Sequence, residues 1–251
     1  ARGELLGHFD VVTPAFIDPH SHIGMERSGE PSGEGEANDH LDSILALTDA
    51  LDSVQMDDKA FMDAVESGVL YSCVVPGSGN IIGGQSAVIR NFAALLRLVD
   101  DFKIRLTIEH AMDVHQADIF HELKKRKIPV VYGPIDSFSY KVELKHEDWR
   151  NIGHLLTSGV QCGLMSDHPV TLARQLFLQT RWFIRAGMSK QAAVELVSHQ
   201  NARILGIDDR LGTLQRGKWA SFICWSGEPF DLASYPKAVY GEGELLHSEK
   251  Q

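Results

Sequence analysis

The sequence predicts an α/β protein built as a (β/α)8 TIM-like barrel, and three observations carry that expectation. Short apolar runs alternate with helical stretches, and the runs are continuous rather than alternating in polarity, as the buried strands of a parallel sheet are. Histidine and aspartate recur at the C-terminal ends of those runs, where a barrel has its reactive rim. A doubly wound open sheet is disfavoured because the sequence has neither a Gly-x-Gly-x-x-Gly turn nor a phosphate loop.

The first apolar run, Pro14-Ala15-Phe16-Ile17-Asp18-Pro19, ends at His20-Ser21-His22. On an extended strand, residues i and i+2 face the same side, so both imidazoles can reach one cation beyond the strand end. Residues 24–40 are rich in glycine and acid, too polar for core, and read as a loop over the site. Residues 57–67 predict a helix, with Asp57 and Asp58 at its start and Gly68 at its end. Residues 69–75 then predict a buried strand stopped by Pro76-Gly77. The alternation continues with a helix over 93–102, a strand over 104–108 ending at Glu109-His110, and a helix over 116–127. A strand over 128–132, a helix over 148–158 and a strand over 160–165 ending at Ser166-Asp167-His168-Pro169 follow. Residues 171–205 predict two helices, after which the pattern changes to a small β element that includes a hairpin around Gly241-Glu242-Gly243.

Length and composition bound the function. A chain of 251 residues that is 43% hydrophobic can bury a substantial core. Its 24 basic against 34 acidic residues leave a net charge of −10, and no basic stripe interleaved with aromatics is present, so nucleic acid is not an expected partner. Cys73, Cys162 and Cys224 lack the paired spacing of a disulfide framework or zinc ribbon. No apolar run approaches the roughly 18 residues of a membrane span. Ala1-Arg2-Gly3-Glu4 does not read as a signal peptide, so a cytoplasmic protein without a membrane partner is expected.

Four passages together resemble the amidohydrolase superfamily of metal-dependent hydrolases, in its imidazolonepropionase-like and prolidase-like branch. Pro14 through His22 is similar to the family's first barrel strand, Thr107-Ile108-Glu109-His110 to its sixth, and Ser166-Asp167-His168-Pro169 to its eighth. Asn201-Ala202-Arg203-Ile204-Leu205-Gly206, followed by Leu211-Gly212-Thr213-Leu214-Gln215-Arg216-Gly217-Lys218, is similar to the passage into the family's accessory β-sandwich. The resemblance implies a residual sandwich strand over 1–13, a hydrolase barrel over 14–206 and a sandwich element over 207–251. It also implies one or two divalent ions, zinc first, with His20, His22, His110 and Asp167 as ligands. Asp167 would in addition accept the proton of the attacking water, and His168 is a candidate to orient the substrate. Imidazoles and a carboxylate suit zinc, whose bound water can reach a pKa of about 7.

The departures are specific. The family usually supplies a histidine from its fifth strand and often a lysine or glutamate from its fourth. Between Gly83 and His110 this sequence has no histidine, and its only lysine, Lys103, precedes a strand. Cys73 and His110 are 37 steps apart, too few for four strand-helix units of roughly 30 residues each. The barrel is thus incomplete as written. Either residues are omitted near Asn91-Phe92-Ala93 or the protein is a shortened relative. The first is preferred, because a barrel missing two staves would expose long strand edges.

The leading expectation is a hydrolase that cleaves a C–N bond of a small amide, cyclic amide or dipeptide with metal-activated water. The alternatives are a deaminase of the same superfamily and a metal-binding scaffold without activity. Glu34, Glu36 and Asp39 belong to the acidic loop, where a solvated lid is the default reading and capture of a ligand near the metal the sharper alternative. Gly83-Gly84-Gln85-Ser86 reads as a turn, and Lys124-Lys125-Arg126-Lys127 as a run suited to a helix C-terminus. His115, His121, His146, His154 and His199 read as solvated surface residues. A homo-oligomer is expected, because the resembled barrel hydrolases commonly associate and the apolar tail Phe222-Ile223-Cys224-Trp225 could support contacts; burial against the chain's own sandwich is the favoured reading of those particular residues.

Overall fold

Five strands of the computed structural model run in two parallel ribbons that meet edge to edge. The structure describes residues 5–27, 35–38, 49–77, 103, 105–135 and 144–249, together with the pairs 44–45, 82–83, 86–87, 96–97 and 100–101. In chain order the principal elements are β1 (Val11–Pro14), β2 (Phe16–Ser21), α1 (Lys59–Glu66), β3 (Val69–Val74), β4 (Ile108–His110), α2 (Ala117–Lys125) and β5 (Val130–Tyr132). There follow α3 (Asn151–Ser158), β6 (Cys162–Leu164), α4 (Leu176–Arg185), α5 (Lys190–Glu195), α6 (Asn201–Leu205), β7 (Phe222–Trp225), β8 (Pro236–Gly241) and β9 (Glu244–Ser248).

Each boundary has a local cause. Asp58 caps α1 by accepting from the Ala60 amide at 3.0 Å, and Gly68, at φ +86°, turns the chain into β3. Ser189 caps α5 through the Ala192 amide. Gly159 and Gly206 close α3 and α6 in the left-handed conformation. β2 pairs with β3, with Phe16 opposite Val69 and Asp18 opposite Ser72. β4, β5 and β6 form the second ribbon, with His110 opposite Tyr132 and Tyr132 opposite Leu164.

Two expectations shift. The strand placed at 104–108 lies at Ile108–His110. Pairing decides this: the Ile108 amide donates to Pro129 O at 3.0 Å as β5 begins, so the ladder starts where a partner is available. The second helix of the 171–205 stretch carries a π-helical turn at Leu196–Gln200, so α5 and α6 are separate pieces. That wide turn directly precedes Asn201, which is fully buried. The helix expected over 93–102 and the region of Asn91, Phe92 and Ala93 fall mainly outside the described residues, as do Glu34 and Asp39.

Asn201 joins the two ribbons. Its Nδ2 donates to Ile17 O in β2 at 2.6 Å and to Leu164 O in β6 at 2.8 Å, while its Oδ1 accepts from the Leu164 amide at 3.1 Å. A Cβ on Gly163 would come within 2.0 Å of that Oδ1, so glycine there is what lets the amide approach the strand. Farther along the same edge, the Asp167 amide donates to His20 O and the His22 amide to His168 O. First and last parallel strands are therefore neighbours.

β1 pairs antiparallel with β7, and β8 and β9 complete a four-stranded antiparallel sheet. Phe16 stacks on Phe177 of α4 at 4.8 Å between centroids, and Trp225 of β7 lies 5.4 Å from Phe177. These rings fuse the sheet to the ribbons in one apolar core. Ile223 and Trp225 are buried there, and Cys224 is buried in a separate cluster with Ala238 and Tyr240. Burial against the chain's own sheet is thus what these three residues do. Among the described residues, no helix is long and apolar enough to cross a membrane.

Asn201→Ala should cost about 2–4 kcal/mol, because it removes the side-chain partner of two buried carbonyls and one buried amide. Urea unfolding curves of the two proteins check this, and a difference below about 1 kcal/mol would show that the junction does not depend on Asn201.

Candidate metal centre

β2, β4 and β6 deliver their last residues to one spot. His20 and His22 leave β2 two residues apart, and both are largely buried. His20 Nε2 lies 3.4 Å and His22 Nε2 3.2 Å from Asp167 Oδ1. His110 comes from β4, and its Nδ1 lies 4.0 Å from Asp167 Oδ2 even though β5 runs between them. β5 is followed by Gly133, which has no side chain. A Cβ there would meet Met165 O at 2.8 Å. His110, Ala111 and Asp167 all have positive φ, at 69°, 61° and 53°, a conformation rare outside glycine and concentrated at functional sites.

Each imidazole is oriented by an oxygen on its Nδ1 side. His20 Nδ1 pairs with the Glu109 carboxylate, His22 Nδ1 with Val75 O at 2.7 Å, and His110 Nδ1 with Gly133 O at 3.1 Å. For His20 and His22 this selects Nε2, the atom nearest Asp167, as the nitrogen available to a cation. His20, His110 and Asp167 each offer one ligand atom within 4.8 Å of the others. Two imidazoles and a carboxylate at that spacing, with a third imidazole beside the carboxylate, are a donor set that fits a divalent transition metal.

The electrostatics point the same way. Burial opposes charge on His20, but the carboxylates of Asp167 and Glu109 on either side outweigh it and raise its pKa to about 10. Burial would raise the Asp167 carboxyl too, yet hydrogen bonds from His20 and His22 and the nearby His110 hold it well below the usual carboxylate range. Burial lowers the pKa of His110, and His20 adds to that effect. The pocket is built to hold positive charge between carboxylates.

Behind it lies Asp18, fully buried. It accepts from the Ser166 amide at 3.0 Å and from Ser166 Oγ. Burial raises the Asp18 pKa to about 6 against the lowering effect of those bonds. Ser166 Oγ also accepts from the His168 amide at 3.1 Å, which fixes the turn carrying Asp167 and His168. His168 is buried. Its Nδ1 accepts from the Ala173 amide at 3.2 Å, and its Nε2 has no hydrogen-bond partner among the described residues.

Sequence reasoning placed His20, His22, His110, Asp167 and His168 at strand ends but missed Glu109, Asp18, Ser166 and Asn201. Asp18 carried a usable signal, since it shares the period-2 face of His20 and His22. Glu109 carried none beyond its place beside His110. Glu36 is exposed, and its amide donates to Met25 O. His121 and His154 are exposed, as expected of solvated residues. His115 and His146 are exposed as well, and their rings lie 4.5 Å apart.

The model of the amidohydrolase family matches residues 85–244, 160 of the 251 residues. The chain belongs to the amidohydrolase family. Amidohydrolases are hydrolase enzymes that act on C–N bonds. A curated relative, amidohydrolase tasK of Hapsidospora irregularis, is 28% identical over 148 residues, 57% of this amidohydrolase but 15% of that protein, so the chain spans a small part of the relative's length. The crystal structure of an amidohydrolase from Thermotoga maritima MSB8 superposes with a TM-score of 0.87 at 23% identity, covering 99% of this chain and 92% of that one. A Xaa-Pro dipeptidase with methionine bound in its active site superposes with a TM-score of 0.61 at 14% identity, covering 93% and 86%. These likenesses give the amidohydrolase a TIM-barrel-like fold.

Ser166→Ala should destabilise the protein by about 1–3 kcal/mol, because Asp18 Oδ2 and the His168 amide each lose a buried partner. Thermal unfolding of the two proteins measures it, and an unchanged Tm would mean the turn is held without Ser166.

Proposed function

We propose that this amidohydrolase is a metal-dependent hydrolase cleaving the C–N bond of a small amide, cyclic amide or dipeptide. In this reading His20, His22, His110 and Asp167 hold one or two divalent ions, zinc first, on a barrel over residues 14–206, with residues 1–13 and 207–251 forming its accessory β element. The observation that carries the reading is the convergence of His20 Nε2 and His22 Nε2 on Asp167 Oδ1, each ring oriented from its Nδ1 side by an oxygen. Bound metal would supply Lewis acidity toward the scissile carbonyl and toward water. The likeness in fold to a Xaa-Pro dipeptidase makes dipeptides the first substrates to try.

The chain's own residues supply the rest. Asp167 is held ionised by its histidine neighbours, so its carboxylate stands ready to take a proton from the attacking water and pass it to the leaving nitrogen. Glu109 and Val75 O keep His20 and His22 from rotating. His168 keeps Nε2–H for a group that the described residues do not provide, such as a substrate oxygen or water, because its other nitrogen is already engaged.

Protein purified without chelator and with metal available should carry transition metal by elemental analysis, and more of it per chain than the His20→Ala/His22→Ala variant. Equal metal in both would remove the β2 histidines from the centre. Asp167→Asn should lower turnover on any amide or dipeptide substrate found by screening by about 10²- to 10⁴-fold with Tm preserved. Unchanged turnover in metal-loaded Asp167→Asn would take Asp167 out of the proton transfer.

A further inference from the structure

Three residues after His110, the chain builds a second group of metal-binding side chains. Asp113 and His115 lie in the segment after β4, and His146 lies in the segment leading to α3. Each offers one ligand atom within 4.8 Å of the others. The His115 and His146 rings are 4.5 Å apart between centroids and inclined at 53°, so they converge without lying flat on each other. Both histidines are exposed and Asp113 is half-buried, so a cation could reach the group from solvent.

The scaffold beneath holds these donors in place. Asn151, buried at the start of α3, donates through Nδ2 to Met112 O and to His146 O, both at 2.9 Å, and so ties the two segments together. Asp113 Oδ1 accepts from the His146 amide, and Oδ2 takes no part in that bond. His115 Nδ1 pairs with Asp113 O at 3.1 Å. As the donor in that bond, Nδ1 carries the proton, and Nε2 is left with the lone pair that a metal needs.

We propose that Asp113, His115 and His146 form a second transition-metal site, specific for a zinc-like ion and separate from the centre at His20, His22, His110 and Asp167. Two imidazoles and one carboxylate complete three positions of a tetrahedron and leave the fourth to water. Zinc bound here staples the segment after β4 to the segment before α3 and stabilises the fold by linkage. The site depends on none of the β2 histidines.

The test uses the full chain stripped of metal by chelator and titrated calorimetrically with Zn²⁺ alone. Wild type is expected to bind one more equivalent than His115→Gln/His146→Gln. The His20→Ala/His22→Ala variant is expected to retain that equivalent. With zinc about a hundredfold above its Kd, the melting temperature of that second variant should rise by roughly 5 °C. Adding His115→Gln, a change at an exposed ring that leaves the Asn151 ties intact, should abolish the rise. Identical zinc stoichiometry and affinity in wild type and His115→Gln/His146→Gln would overturn the site. Failure of the first centre reads differently, since wild type would then bind one equivalent and His115→Gln/His146→Gln none.

Discussion

The seam between β2 and β6 is the constraint on which the rest of the molecule depends. Neither ribbon by itself gathers the candidate ligands, because His20 and His22 leave one and His110 and Asp167 leave the other. At one end of the seam Asn201 bonds Ile17 and Leu164, and at the other Asp18 bonds Ser166. Between and beyond them, main-chain bonds link residues 20 and 167 and residues 22 and 168. All of these groups are buried, so each unpaired one would carry its full desolvation cost. The polar seam thus fixes the relative height of the two strands to within a hydrogen bond, which is the tolerance that metal ligation requires.

Charge at the centre follows from that placement. Asp167 and Glu109 flank His20, and Asp18 lies behind with a carboxyl pushed toward its neutral form. Three carboxyl groups so close together would repel if all were ionised and unpaired. Here the two nearest the histidines are compensated, and the third, supported by Ser166, has the raised pKa.

Much of this was legible in the sequence, and what was not has a physical reason. A period of two put His20 and His22 on one side of a strand, and the end of each apolar run marked His110 and Asp167, because strand burial leaves its trace in residue type. The cap at Asp58 and the turn at Gly68 were readable for the same local reason. Asn201 was not, since its partners lie 184 and 37 residues away and an asparagine within a helical stretch carries no mark of what it bonds. Glu109 was hidden by its neighbour: a strand end that turns through two consecutive positive φ values at His110 and Ala111 brings adjacent residues to the same site, against the alternation used to read it. His115 and His146 are surface residues as read, but their pairing was hidden because their proximity depends on Asn151, which ties together two segments distant in sequence.

The aromatic contact of Phe16, Phe177 and Trp225 bears on how the molecule comes apart. Only Ala15 separates β1 from β2, and β1 is zipped to β7, whose Trp225 lies against the same rings and also donates to Thr13 Oγ1. The antiparallel sheet therefore cannot peel off as an independent foldon. Pulling it away draws out the strand that carries His20 and His22, so loss of the peripheral sheet and collapse of the candidate centre are a single cooperative event.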